Sequence, residues 1–435
     1  MARQPLASAL HGGRETITRR GLSRRTPKPQ KTLQWRLECL AHSALEAIVS
    51  VLPGPLVFRF GEALGSLAWY FLSQRRKIVL RNLRIAFAGE KELPEIRRMA
   101  RETFRRSGAN LVSVAHTARL APDELGKVIH IENRELLEQA LATGKGVVLL
   151  LAHMGNWELL SRLVHLFPPG SKTGAFYRPL NNPLLDARVL ARRQADGTRM
   201  FSKRDPFHQV TGFLREGGIV GVLADQRVGM QGEVVPFFGR LTRTSPLPSL
   251  LARRAKAEVL ALSLVTERPG KWKAVFLPVE KPYTTPHCVA ALEKAMKAAP
   301  TDVFWLQERW KVFVKRFRPF GKWLEPMEHQ AAKPHRALIW LANVPDSWRP
   351  PENWFHPDVI YEAAISAGGH APDWLPQDAR VHSLPPLESA RDIARAIGSF
   401  ESSATLPIDF IITRKAPASL AAAAASELIP LVSLP

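Results

Sequence analysis

Gly146-Val-Val-Leu-Leu-Leu151-Ala-His153-Met-Gly-Asn-Trp-Glu158 is the stretch that decides how this chain is read. Val147 to Leu151 is continuously apolar, the pattern of a strand buried on both faces of a sheet. Gly155 suits a close turn, and Asn156 suits the cap of a following helix that runs to His165 and stops before Pro168-Pro169-Gly170. A strand ending at Leu151 places His153 at its carboxyl end, where open α/β sheets gather their ligands. Glu158 then falls in the first helical turn. A carboxylate beside an imidazole fixes its tautomer and raises its basicity, so a His153/Glu158 dyad can take a proton from an attacking hydroxyl. Spacing alone does not establish this, because Glu158 also serves as an ordinary helix-stabilising carboxylate. Zinc is not indicated: His-Glu-x-x-His is absent and no third ligand follows at short range.

The alternation of strands and helices continues downstream. Ala175–Tyr177, Ile219–Ala224, 257–266 and 272–279 read as strands. Asn182-Pro183 opens a helix toward Arg193, and Phe207–Arg215 and Ser245–Lys256 read as further helices. The expectation is an α/β domain with a mostly parallel sheet flanked by helices, over residues 125–324. Two more polar groups fall directly after strands. Arg178, in Tyr177-Arg-Pro-Leu-Asn-Asn-Pro183, has the fork geometry to bind phosphate or offset oxyanion charge. Asp225-Gln226 follows the next strand, although Asp225 also reads as a turn residue. Pro236-Phe237-Phe238-Gly239 offers an aromatic pair that reads as a core contact or as the bed of an acyl chain. Three strand-end polar groups converging on one edge are more specific than any one of them.

Upstream, 78–118 reads as helical, and 37–73 holds two apolar segments, Ala44–Phe60 and Gly61–Leu72, interrupted by Glu46, Pro53, Pro55, Arg59 and Glu62. A spanning helix needs about 20 largely apolar residues, so this stretch is an imperfect span, a shallow hairpin or a helix in the interface. Its alternative is an ordinary buried helical hairpin. Residues 36–124 are accordingly assigned as a membrane-associated helical segment, and 1–35 as a basic disordered tail. Residues 325–435 read as a linker and a small, incomplete α/β extension, with strands at 337–341 and 409–413 and a helix at 419–428. No chemistry is assigned to that extension.

The net charge of +22 over 435 residues favours an anionic partner: nucleic acid, anionic lipid or an acidic carrier protein. The two cysteines, Cys39 and Cys288, are too few and too far apart for a disulfide framework, which fits a reducing cytoplasm.

Taken together, His153-Met-Gly-Asn-Trp-Glu158, Tyr177–Pro183, Asp225-Gln226, Phe237-Phe238-Gly239 and Arg309-Trp310-Lys311 resemble the motifs of the bacterial lipid A biosynthesis acyltransferases, lauroyl and myristoyl transferases of the lysophospholipid acyltransferase superfamily. The resemblance spans residues 36–316 and includes Arg81-Asn82-Leu83. It implies a glycerolipid-acyltransferase-like fold and an acyl donor carried on acyl carrier protein. It further implies a lipid A precursor or related glycolipid as acceptor, the cytoplasmic face of the inner membrane as location, and no cofactor or metal. His153 is then the general base and Glu158 its partner. Arg178, Asp225, Asn156 and Gln226 are then substrate-binding residues. Acyl carrier protein is acidic, which gives the basic surface a use in docking it alongside an anionic membrane surface; nucleic acid is not expected. Trp305-Leu-Gln-Glu-Arg-Trp310 lacks a histidine that the family often carries there, which bears on the acceptor. Two alternatives stand beside this reading. One is the same chemistry on another lipid acceptor; the other is a non-catalytic basic protein that binds membranes or nucleic acid.

Overall fold

The computed structural model describes residues 29–202, 205–229, 231–310 and 333–435. Four helices come first: α1 (Pro29–Ser50), α2 (Gly54–Phe71), α3 (Ser73–Phe87) and α4 (Leu93–Thr117). The apolar stretch is two helices, but they part between Ser50 and Gly54 and not at Phe60/Gly61, which lies inside α2, because Pro53 and Pro55 start a new helix. Helix α1 starts inside the stretch expected to be a disordered tail; residues 1–28 lie outside the described residues. Among the described residues no helix is long and apolar enough to cross a membrane. Helix α2 packs on α4 at backbone contact distance. A Cβ on Gly61 would lie 2.6 Å from the Ala109 Cα, and one on Gly108 would lie 2.6 Å from the Gly65 Cα. Buried Glu62 sits in this seam, accepting from Arg59 at 2.8 Å and Arg105 at 2.7 Å.

The α/β domain follows as α5 (Pro122–Val128), β1 (Ile129–Glu132), α6 (Arg134–Ala142), β2 (Val147–Leu151), a 3-10 helix (Trp157–Leu166), β3 (Thr173–Tyr177), α7 (Pro183–Gln194), β4 (Arg199–Ser202), α8 (Phe207–Arg215) and β5 (Ile219–Leu223). It continues through β6 (Glu233–Phe237), β7 (Arg240–Thr244), α9 (Leu247–Ala255), β8 (Glu258–Arg268), β9 (Lys271–Pro278) and α10 (Thr285–Ala298). Seven strands form one sheet in the order β1-β9-β8-β2-β5-β3-β4. Every pairing is parallel except the β8–β9 hairpin, so the expectation of a mostly parallel sheet flanked by helices holds. Strands β1 and β4 escaped the sequence reading because they are short edge strands without a continuous apolar run. All five residues of β2 are buried, as its composition requires.

The C-terminal unit is more complete than expected. It comprises β10 (His335–Trp340), β11 (Val359–Ser366), β12 (Arg380–Leu384), α11 (Ala390–Ser402), β13 (Phe410–Arg414), α12 (Ala418–Ser426) and β14 (Leu431–Leu434). Its five strands are all parallel, in the order β12-β11-β10-β13-β14. The expected linker lies mostly outside the described residues.

Period-two alternation along the β6–β7 hairpin joins the two units. Val235 and Phe237 face the main core, whereas Val234 and Leu241 belong to the core of the C-terminal unit with Trp348, Trp354 and Phe410. A buried carboxylate locks this seam. Asp409, at the amino end of β13, receives Arg240 Nη1 on both oxygens at 2.8 Å, Arg81 Nη2 at 2.8 Å and the Arg336 amide at 3.1 Å. His335 Nδ1 stands 3.2 Å away. Asp409 and Arg240 are both fully buried. Burial opposes the Asp409 charge, but the surrounding arginines and His335 more than offset it and hold the carboxyl well below its ordinary range. Removing one partner of such a pair strands the other charge in the interior, at a cost of about 3–5 kcal/mol. Asp409→Ala is therefore expected to lower the melting midpoint by roughly 6–15 °C. A circular-dichroism melt superimposing on wild type would show that Asp409 does not hold the seam.

Candidate active site

Strand β2 runs between β8 and β5 and releases the chain at Ala152. The next three residues are clamped to the segment after α10. The Gly155 amide donates to the Asp302 carbonyl at 3.0 Å, and the Phe304 amide donates to the His153 carbonyl at 2.8 Å. Met154 and Val303 form an antiparallel bridge between them. Gly155 adopts φ +56°, and a Cβ there would lie 2.6 Å from the Leu264 carbonyl oxygen, so only glycine passes this turn without strain. His153 is thus presented from a rigid backbone, its ring 5.5 Å from that of Trp157.

The clamp is itself anchored by buried polar groups. Asp302 accepts from the Thr266 amide at 2.8 Å and the Thr266 hydroxyl at 2.7 Å, with the Asn110 amide 3.3 Å away. Asn110 in turn accepts from Trp272 Nε1 at 2.7 Å. Burial raises the Asp302 carboxyl above its ordinary value despite these donors. Nothing in the sequence marks this network, because its members come from α4, β8, β9 and the loop after α10.

His153 Nδ1 lies 2.7 Å from Asp225 Oδ1, and the two side chains are only 16% and 8% exposed. The carboxylate that touches the imidazole is therefore Asp225 and not, as expected, Glu158. Parallel pairing of β2 with β5 explains this. Leu151 is in register with Leu223, so His153 and Asp225 emerge two residues later from adjacent strand ends. Glu158 is drawn away by Arg193 of α7, which donates to both of its oxygens at 2.9 and 2.6 Å. Burial opposes the charged imidazole, but the attraction and hydrogen bond of Asp225, with a smaller pull from Glu158, leave its pKa above the ordinary value.

Gln226 Nε2 sits 3.1 Å from His153 Nε2 and 3.3 Å from Nδ1. A carboxylate on Nδ1 makes that nitrogen the proton carrier, so Nε2 presents its lone pair and the Gln226 amide donates to it. Asn156 is buried but does not cap the following segment. Its amide donates to Thr117 Oγ1 at 3.0 Å, and that segment is a 3-10 helix and not the expected α-helix. Arg178 is exposed at the end of β3, on the same sheet edge. Phe237 and Phe238 are fully buried among Trp305, Trp310 and Phe87, the core reading of that pair. Beside them Arg309 braces β7, donating to Thr242 Oγ1, the Arg243 carbonyl and Thr244 Oγ1. Burial pushes its pKa down to about 10. Lys311 lies outside the described residues. Among the described residues no group of three or more His, Cys, Asp or Glu gathers as a metal site would.

A narrow apolar slot of about 80 Å³ adjoins the site. Leu151, Trp157, Leu163, Phe176 and Leu223 form its walls, Gly174 and Gly221 lie along it, and Glu158 and Arg193 are its charged lining residues. A buried base, an acidic partner and an apolar recess together suit the transfer of a hydrocarbon-bearing group to a hydroxyl.

Comparison with known proteins points the same way. The family described as bacterial lipid A biosynthesis acyltransferase matches residues 27–312. The lipid A biosynthesis palmitoleoyltransferase of Escherichia coli K12 is 27% identical over 280 residues, 62% of this chain and 88% of that protein. The lauroyltransferase of the same organism is 29% identical over 275 residues, 61% of this chain and 88% of that protein. A phosphatidylinositol mannoside acyltransferase of Mycobacterium tuberculosis is 29% identical over 186 residues, covering 40% and 57% respectively. With the matched region taking in the helical segment, the seven-stranded sheet and His153 through Arg309, the chain belongs to the bacterial lipid A biosynthesis acyltransferase family.

Proposed function

We propose that this protein transfers a fatty acyl chain from acyl carrier protein to a hydroxyl of a lipid A precursor or related glycolipid, at the cytoplasmic face of the inner membrane. The observation that carries the reading is the buried His153–Asp225 contact, which leaves Nε2 as the accepting nitrogen, with the ring 5.5 Å from that of Trp157, a residue that lines the apolar slot. The acceptor hydroxyl displaces the Gln226 amide from Nε2 and gives its proton to His153. Its oxygen then attacks the thioester carbonyl, forming the C–O bond. The tetrahedral intermediate collapses with loss of the C–S bond, and the departing thiolate takes the proton back from the imidazolium. Atoms and charge balance without a cofactor. Exposed Arg178 binds acceptor phosphate at the rim, and the slot takes the methylenes next to the carbonyl.

In this scheme Asp225 sets the His153 tautomer, while Glu158 acts through space and holds Arg193 beside the slot. His153→Ala is expected to lower kcat by roughly 10²–10⁴-fold with the fold retained. Asp225→Asn should fall further than Glu158→Gln. The opposite order, with Asp225→Asn near normal, would return the partner role to Glu158. The base works only when neutral, so kcat/KM should rise with pH through a midpoint above the ordinary 6.5. Asp225→Asn removes the main group that raises this pKa and leaves burial, which lowers it, so the limb should move to lower pH. A limb unmoved in the pH–rate profile would mean that another group titrates.

Gly221 bears on acyl binding. A Cβ there would meet Leu151 Cδ1 at 3.0 Å and little else, so alanine needs a small side-chain shift and valine intrudes on the slot. Gly221→Val should raise KM for acyl donors of every length, because the methylenes next to the carbonyl are common to all of them. An unchanged KM for the donor in steady-state assays would exclude the slot as the acyl site.

A second acceptor class is favoured by the mycobacterial relative, whose name specifies a phosphatidylinositol mannoside. Mass spectrometry of envelope lipids from a deletion strain separates the two. Lipid A lacking one acyl chain supports the first reading, and intact lipid A with another glycolipid underacylated supports the second.

A further inference from the structure

A second cavity, of about 500 Å³, lies in the seam between α3 and the C-terminal unit. It shares no lining residue with the slot beside His153. One wall is α3 with Glu308 and Trp310; the other comes from the ends of α11 and α12 and the turn into β14. Its size suits a small organic ligand, for which pockets run to roughly 300–1,000 Å³. Lys77, Arg81 and Arg84 fall on one face of α3, and each is held by a carboxylate of the C-terminal unit. Lys77 meets Glu427 at 3.0 Å, Arg81 meets Asp409 at 2.8 Å, and Arg84 meets Glu401. Arg76 lines the same cavity without such a partner. It donates to the Trp69 carbonyl at 3.2 Å and lies 5.5 Å from the centre of the Trp69 ring, and no carboxylate among the described residues pairs with it. The lining carries these four cations against Glu308, Glu401 and Glu427, an excess of one positive charge. Between the charges the wall is apolar, with Leu80, Leu428 and Ile429 among its side chains.

Two wall positions depart from the residue that their backbone favours, and both departures keep the cavity open and apolar. Gly398 sits inside α11, where glycine is a poor helix former. No close packing demands it, because a Cβ there would meet nothing within 4 Å. The glycines between α2 and α4, by contrast, are required by backbone contact. Leu428 follows the end of α12 at φ +57°, a position that helices usually give to glycine. Leucine there accepts backbone strain and adds an apolar side chain to the wall. Departures from local preference concentrate at functional sites.

We infer that this cavity binds a single-chain amphiphile with one negative charge, its head on Arg76 and its hydrocarbon along Leu80, Leu428 and Ile429. A fatty carboxylate and a lysophospholipid with a phosphodiester head share that chemistry. The excess of a single positive charge matches a monoanion, and the apolar wall gives the chain its place. Half of the site is built by a unit that lies outside the family match, and it stands independently of the proposed acyl transfer.

Isothermal titration of the purified full chain with laurate, and separately with lauroyl-lysophosphatidylglycerol, each below its micellar concentration, tests this without any catalysis. The tighter of the two names the source of the ligand. Gly398→Phe and Ala425→Phe fill the cavity from α11 and α12, and each should weaken binding at least roughly tenfold with an unchanged circular-dichroism spectrum. Arg76→Gln adds no bulk to the seam and should also cost roughly tenfold, which keeps the test decisive if a filled variant misfolds. Gly221→Val narrows only the slot and should leave this affinity as it is. Binding lost in Gly221→Val but kept in both filled variants would put the chain in the slot and overturn the inference. So would the absence of measurable binding by either amphiphile. Dodecanol, which has the chain without the charge, should bind at least roughly tenfold more weakly than laurate, and equal affinity would reject an anionic ligand.

Discussion

Strand β2 has no free edge and no free face, and the rest of the molecule is arranged around that constraint. Strands β5 and β8 take its backbone on either side, and all its side chains are buried. Such a strand cannot slip in register, because a slip would expose an apolar side chain or orphan a ladder hydrogen bond. Its carboxyl end is therefore a fixed point. The clamp between residues 153–155 and 302–304 extends that rigidity by one further turn, into backbone that would otherwise be a loop. Catalytic groups held within small tolerances need this kind of support.

The sheet was legible from the sequence because buried parallel strands are short, continuous apolar runs, and those of β2, β3 and β5 stand out from their surroundings. Edge strands carry no such signal. The positions at the strand ends were legible too, since His153, Arg178 and Asp225 each follow such a run directly. Pairing among them was not. Which carboxylate reaches the imidazole depends on the register between β2 and β5, and on Arg193 competing for Glu158 from a helix that sequence separates by 35 residues. Proximity along the chain favoured Glu158, whereas proximity across the sheet favours Asp225. The 3-10 geometry after Asn156 was equally hidden, since no local pattern in Trp157–Leu166 separates it from an α-helix.

The C-terminal unit shows how a segment outside the matched region becomes part of the fold. A two-stranded hairpin alone is marginal in water, and β6–β7 has only itself as a sheet. It gains a buried environment on both faces by sitting between two cores. Arg309 fixes it from the acyltransferase side, and Asp409 fixes it through Arg240 from the other. The alternation that places Val234 and Val235 in different cores is plain in retrospect, but no sequence pattern says that two cores exist on either side.

Net charge was the strongest bulk property of the chain, and the structure changes what it means. Arg162, Arg240, Arg309 and Arg336 are buried, and their guanidinium groups are spent on internal carbonyls, hydroxyls and carboxylates. Arg81, Arg84 and Arg193 are likewise committed to Asp409, Glu401 and Glu158. Arginine is suited to this use, since its planar fork satisfies several acceptors at once and sheds water more easily than an ammonium. The net charge of +22 already subtracts those carboxylates, so internal pairing leaves the excess in place and changes only where it is felt. Among the described residues, Arg36, Arg59, Arg75 and Arg178 stay exposed and lie beside exposed apolar side chains.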